Sequence, residues 1–281
     1  MSERAGSIAY GQRWWRYARY GTVLTVLVLV LLPFVWLLVT SFKPNRIIFA
    51  VPPVLLFEPT FQNYVDLWAG FFPASFLNSA VVAVSTTVLS VLIGVPGAYA
   101  LSRATFKHKE QMSLWILASR MAPPIAFTIP YFLAYRYAGL LDTLTGLIII
   151  YLTFNLSLVV WMMRSFFDAL PPALEEAAWI DGASMFQAFF RIVLPLAAPG
   201  LAATAILCFI YAWNDFFFAL ILTRTNAMTA TVAIVNFMNL EGWEWGKIAA
   251  GGTLVMLPVL VFSFLVRRYL VAGLAAGAVK G

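Results

Sequence analysis

Glu175-Glu176-Ala177-Ala178-Trp179-Ile180-Asp181-Gly182, followed after nine residues by Ile192-Val193-Leu194-Pro195, is a polar island in an oily chain. It carries three of the twelve acidic residues, and apolar runs flank it on both sides. Those runs are long enough to cross a bilayer. A polar, well-capped helical segment between two spans sits in water on one membrane face. There it is a natural contact for another protein.

The composition agrees with that reading. The chain has 281 residues, 62% hydrophobic and 11% charged, whereas a typical soluble domain is about 25% charged. A soluble protein this apolar could not cover its surface, so the chain reads as a polytopic membrane protein. Its net charge of +6 then reflects basic cytoplasmic loops and not a nucleic-acid partner. The single cysteine, Cys208, lies in an apolar run and can make neither an internal disulfide nor a cysteine-based metal site. The single histidine, His108, lies in a charged loop with no second His or Cys nearby, so it reads as solvated.

Six apolar stretches are expected to cross the membrane, at about residues 20–42, 76–101, 112–133, 143–163, 200–222 and 248–266. The first is free of charge over 23 residues, enough for a core of about 30 Å at about 1.5 Å per residue. Arg4, Arg13, Arg16 and Arg19 precede it, interleaved with Trp14, Trp15 and Tyr17. That is an interfacial anchor, too long and too aromatic for a comfortable signal peptide, and it is expected to be retained. Prolines between residues 43 and 75 predict an external loop with one short helix around 63–69. Gly94, Pro96 and Gly97 predict a kink or a close helix approach in the second span.

The third span carries Arg120-Met121-Ala122-Pro123-Pro124. A mid-membrane arginine costs roughly 2.5–3.5 kcal/mol on insertion scales, so it is expected to face protein or a watery cavity. It has two readings: a cap for carbonyls that the prolines free, or a substrate contact. Asn214 and Asp215 in the fifth span divide in the same way, between a cap between helices and a pathway role. Trp213 reads as packing. Residues 229–240 are apolar enough to dip back towards the membrane.

Charge asymmetry sets the orientation. With the N-terminus inside, Arg4, Arg13, Arg16, Arg19, Arg103, Lys107, Lys109, Arg164, Arg191, Arg267, Arg268 and Lys280 make twelve inner cations. Lys43, Arg46, Arg136 and Arg224 make four outer ones, or five with Lys247. Both termini and residues 164–199 are therefore expected in the cytoplasm. The fold expectation is an all-α integral membrane protein, one domain over residues 1–281, with a cytoplasmic helical loop between spans four and five. No internal repeat stands out.

Within that loop, Pro171-Pro172 suits a helix start. Glu175 and Glu176 favour the positive end of the helix dipole. Gly182 suits a left-handed termination, and Ser184-Met185-Phe186-Gln187 is a capping-box pattern. The expectation is helix, glycine turn, helix. Periodicity alone fits equally an amphipathic interfacial linker whose glutamates are a solvated face.

Glu176-Ala177-Ala178, Gly182 and Ile192-Val193-Leu194-Pro195, so spaced, resemble the EAA signature of permease subunits of ATP-binding-cassette importers. Leu170-Pro171, Ile180-Asp181-Gly182-Ala183, Trp213-Asn214-Asp215 and the tail over residues 273–281 resemble the carbohydrate-type (maltose and polyol) members more narrowly. The resemblance implies a coupling helix docked in a cleft of an ATPase subunit, with Glu175, Glu176, Ala177, Ala178, Asp181 and Gly182 as the coupling residues. It also implies a second permease subunit in a heterodimer, a dimer of ATPase subunits and an extracytoplasmic solute-binding protein. The substrate would be sugar-type, the location the bacterial inner membrane, multi-pass among lipid. ATP and Mg would bind the ATPase, leaving this chain without a cofactor. Arg120 departs from the uncharged polar residue expected before Met-x-Pro. Its Arg-Met-x-Pro-Pro form resembles polyol or sugar-derivative importers and would suit an anionic substrate.

The chain has no Gly-x4-Gly-Lys-Ser/Thr loop and no His/Cys/carboxylate cluster. Enzymatic roles have no catalytic constellation to rest on. The alternative is a stand-alone secondary transporter or channel, which would need ion-coupling residues in its spans. Arg120 and Asp215 alone are thin support for it.

Overall fold

The computed structural model describes residues 2–239 and 242–278, with side chains placed for 15–238 and 243–265. The cations at Arg4, Arg13, Arg267, Arg268 and Lys280, the Trp14 ring and the side chains of the 273–281 tail lie outside the described residues. The chain divides into two units. One comprises Met1–Trp68 with Phe237–Thr253, the other Ala69–Asn236 with Leu254–Gly281.

The first unit holds α1 (Ser2–Ser41) and α2 (Gln62–Trp68). α1 is one uninterrupted helix around Pro33, longer than the expected first span. The turn after it is tied by side-chain amides. Asn63 Nδ2 donates to the carbonyls of Ser41 and Lys43 at 2.8 and 2.9 Å. Ser41 and Tyr64 share a hydroxyl bond of 2.7 Å. Lys43 is buried, its ammonium 4.9 Å from the centre of the Trp36 ring and 5.4 Å from that of Phe57. A two-residue antiparallel pair, Met238–Asn239 with Gly242–Trp243, is the strand structure among the described residues.

The second unit is built on α3 (Phe72–Arg103), with α4 (Lys109–Ala118), α5 (Thr128–Tyr137) and α6 (Leu144–Asp168). After α6 come α7 (Ala173–Ile180), α8 (Met185–Ala188), a π-helical turn (Phe189–Val193) and α9 (Leu194–Leu196). α10 (Ala198–Asn214), α11 (Phe217–Leu222) and α12 (Ala230–Val235) follow. α13 (Trp245–Ala278) begins in the first unit and continues in the second.

α3, α6 and α10 pack on one another through a core that includes Val95, Ala98, Val159, Met163, Phe167 and Cys208. Small residues let these helices approach. A methyl at Gly94 would stand 2.7 Å from Val159 Cγ1, and one at Gly200 would meet the Phe166 ring. Close approach is thus what Gly94 serves within a continuous α3. Trp213 is packing: its ring stacks on Phe209 and its indole N–H donates to the Val255 carbonyl at 2.9 Å.

Four helical segments among the described residues are long and apolar enough to cross a membrane: Trp15–Ser41, Phe72–Arg103, Leu144–Asp168 and Trp245–Leu265. Met185–Leu196 and Ala198–Asn214, bent by 76°, make a fifth if they form one crossing. The expected third span is not one helix. It breaks after Ala118, passes Pro123 in extended backbone (ψ 123°) and a 3-10 turn at Pro124–Phe127, then resumes as α5. Two successive prolines withdraw two N–H donors, and Pro124 forces Pro123 out of the helical region. The expected fifth span is likewise divided at Asp215-Phe216. Residues 229–240, expected to dip towards the membrane, hold helix α12 over Ala230–Val235, with Ala230, Val232 and Ala233 buried, and the strand residues Met238–Asn239; Leu240 lies outside the described residues.

Candidate functional site

The polar segment folds as helix, glycine turn, helix. Pro172 precedes α7, and its carbonyl accepts from the Glu175 and Glu176 amides at 2.9 and 3.1 Å. Gly182 ends the helix at φ +84°. Its amide donates to the Trp179 carbonyl at 3.0 Å, and that of Ala183 to Ala178 at 2.9 Å. This pair of bonds is the Schellman termination. Nothing lies within 4 Å of where a Gly182 side chain would start, so backbone conformation alone demands glycine there. The capping box forms as well. Ser184 Oγ accepts from the Gln187 amide at 3.3 Å, and Gln187 Oε1 accepts from that of Ser184 at 2.8 Å.

The hairpin sorts its residues into two sets. Glu176, Ala177, Asp181 and Gly182 are exposed. So are Ile180 at 87%, Phe186 at 76% and Met185 at 62%. Ala178 and Glu175 are buried, Glu175 to 2% exposure. A buried carboxylate requires a partner and hydrogen bonds. Glu175 has both. Oε1 accepts from Arg103 Nε at 2.6 Å, and Oε2 accepts from the Tyr99 hydroxyl. Arg103, in the last turn of α3, also donates to the carbonyls of Phe167 at 3.1 Å and Leu170 at 3.2 Å. Those carbonyls lie at and just beyond the C-terminal end of α6, where carbonyls lack helical partners. Ser102 donates to Asp168 at 2.5 Å, Lys109 to the Ser102 carbonyl at 2.7 Å, and Arg164 reaches Glu110 at 2.5 Å.

Arg103 and Tyr99 were not legible as site residues. Arg103 reads in the sequence as one cation of a basic loop. The available signal was its position at a helix C-terminus, which favours cations.

A cavity elsewhere in the second unit is lined by Arg120, Tyr151, Asn155, Tyr211, Asp215 and Phe218. Among the described residues the Arg120 guanidinium meets no carboxylate or carbonyl; it lies 4.4 Å from the centre of the Tyr211 ring. Asp215 accepts from the Tyr151 hydroxyl at 2.8 Å and from the amides of Phe218 and Ala219 at 3.1 and 3.3 Å, which caps α11. Asn214 does not join them: its amide donates to the Ile210 carbonyl of its own helix at 2.9 Å. His108 is exposed, bonded to Gln111 at 2.8 Å.

Before the start of α6 lies a second anion-holding device, at a half-buried position. Asp142, at φ +54°, accepts from the amides of Arg224, Thr225, Asn226 and Ala227 at 2.9–3.3 Å. Burial alone would raise its carboxyl; the amides outweigh that and hold it down at about 2.

Residues 67–275 match the model of the family described as "Binding-protein-dependent transport system inner membrane component". The trehalose transport system permease protein SugB of Mycobacterium tuberculosis is 42% identical over 275 residues, 95% of this chain and 99% of that protein. The trehalose/maltose transport system permease protein MalG of Thermococcus litoralis is 36% identical over 259 residues, 90% of this chain and 93% of that protein. Among solved structures, a chain of a bacterial ABC transporter involved in import of the acidic polysaccharide alginate aligns with a TM-score of 0.73. It is 26% identical, over 89% of this chain and 96% of that one. The chain belongs to the family of inner membrane components of binding-protein-dependent transport systems, and is a multi-pass membrane permease subunit of the ABC type.

Proposed function

We propose that the chain forms half of the pathway of an ATP-driven importer for a sugar, polyol or sugar derivative. It pairs with a second permease subunit, takes substrate from a solute-binding protein outside the cytoplasm, and couples to a separate ATPase dimer that binds ATP and Mg. In this reading the chain crosses six times, the broken segments around Arg120 and Asp215 supplying the crossings that are not single helices. Both termini and the hairpin face the cytoplasm, as the cation bias favours.

The observation that carries this reading is the exposed surface of the hairpin. Glu176 stands beside an apolar set, Ile180, Met185 and Phe186, on a segment held by a Schellman turn and a capping box. Apolar side chains left in water beside a few polar groups make a docking surface. The sugar class is supported by the relatives named for trehalose and maltose. Arg120 and Asp215 are the proposed pathway residues, since they share one cavity.

Co-purification of the ATPase with the permease, and trehalose uptake by the reconstituted transporter, test this together. Glu176→Ala with Gly182→Val is expected to release the ATPase and abolish uptake. Retention of both would overturn the docking assignment.

A further inference from the structure

Docking explains the exposed face of the hairpin and leaves its buried face unexplained. Glu175 is the most buried acid described, inside a protein that places few charges anywhere. Among the described residues, the side-chain hydrogen bonds from residues 173–196 to helices outside the hairpin are those made by Glu175, and both run to α3. Their donors, Tyr99 and Arg103, stand one helical turn apart on one face of α3. The remaining nitrogens of the same guanidinium hold the Phe167 and Leu170 carbonyls at the end of α6. The Tyr99 ring adds an apolar contact beside this cluster, 4.7 Å from the centre of the Phe189 ring.

We propose that Arg103 and Tyr99 are positioning residues that act through Glu175, locking the hairpin to α3 and α6 so that the three move as one body. The argument rests on the docking role of the hairpin for its purpose, though not for its geometry. Charge-assisted bonds in a low-dielectric setting are short and directional. A planar five-donor guanidinium joins three elements where an ammonium would join fewer. A displacement imposed on the exposed face of α7 therefore reaches the ends of two long helices through one arginine. Without the clamp, the hairpin would hold α3 by apolar contact alone, and such contact is non-directional.

The test uses the assembled transporter with spin labels on Leu92→Cys in α3 and Arg191→Cys in the hairpin. Both positions are exposed, and Cys208 is fully buried and stays unlabelled. In the parent, one narrow distance is expected, the same with and without ATP, Mg and vanadate. Glu175→Gln and Arg103→Gln are each expected to lose that single distance and to make it depend on ATP. The double variant is expected to be no broader than either single one. Tyr99→Phe removes a single donor and serves should the charge variants fail to assemble; partial broadening is expected. A parent-like narrow distance in the variants, even with a lowered melting temperature, would overturn the clamp and leave a purely stabilising role. Broadening in the double variant equal to the sum of the singles would also overturn it. Should the hairpin not be the ATPase contact, ATP would change no distance in any variant, while broadening without ATP would still uphold the clamp.

Discussion

Glu175 and Asp142 lie beyond opposite ends of α6, a helix of 25 residues, or about 37 Å at 1.5 Å per residue. Each is a carboxylate surrounded by donors, and each joins segments distant in sequence. They do it by different means. Asp142 is held chiefly by the main chain: four consecutive amides of the segment after α11 converge on it, joined by the Asn226 side-chain amide and the Thr225 hydroxyl. Glu175 is held by side chains, one arginine and one tyrosine of α3. Consecutive amides can converge only if their backbone takes one shape, so Asp142 fixes the path of a loop. Side chains fix the relation between helices while leaving each helix its own shape. The first device suits an end that must hold still, the second an end through which displacement passes.

The largest expected effect comes from unbalancing the hairpin end. Arg103→Ala leaves Glu175 buried to 2% exposure without its cation, and breaking a buried pair from one side typically costs about 3–5 kcal/mol. Thermal unfolding in detergent is expected to fall more for this variant than for any at the Asp142 end. A smaller loss there than from Asp142→Ala would reverse the comparison.

Asp142→Ala is expected next, at about 2–3 kcal/mol for the loss of several hydrogen bonds to a charged group. Its loss carries a pH signature. The carboxyl is depressed from 3.8 to about 2, so its contribution is full above 3.8 and fades as pH falls through about 2. The melting gap between parent and Asp142→Ala is therefore expected to narrow across that window; a gap that widened there would contradict the amide account. Smallest is Gly182→Ala, where a side chain at φ +84° costs roughly 1–2 kcal/mol. Equilibrium unfolding measures it, and no effect would mean that the turn relaxes.

The same contrast explains what could be read in advance. Long apolar runs are local, so the helices at Trp15–Ser41, Phe72–Arg103, Leu144–Asp168 and Trp245–Leu265 overlap the expected stretches nearly throughout and run past them into charged residues. Caps are also local, and the Gly182 turn and the Ser184–Gln187 box form where the pattern put them. Pro123-Pro124 marked trouble in the expected third span, but not that it would divide into α4 and α5. Glu175 was legible as an acid at a helix start. Its burial was not, because Arg103 is 72 residues away and nothing in the spacing joins them. The role of Asp142 was not legible, since its donors lie more than eighty residues on and most are backbone amides, which leave no mark in a sequence. Arg120 was expected to face protein or a cavity; it lines one, over the Tyr211 ring.

Cross-linking tests the central claim, that the hairpin is where the ATPase docks. Ile180→Cys, at a position 87% exposed on the hairpin, and Tyr137→Cys, at a position 88% exposed beyond the other end of α6, would each be alkylated with a maleimide-benzophenone and irradiated in membranes containing the co-expressed ATPase, the ketone inserting into a C–H bond of whatever protein lies against it. The account predicts a permease–ATPase adduct from Ile180→Cys and none from Tyr137→Cys. An adduct from Tyr137→Cys alone, or none from Ile180→Cys, would contradict it.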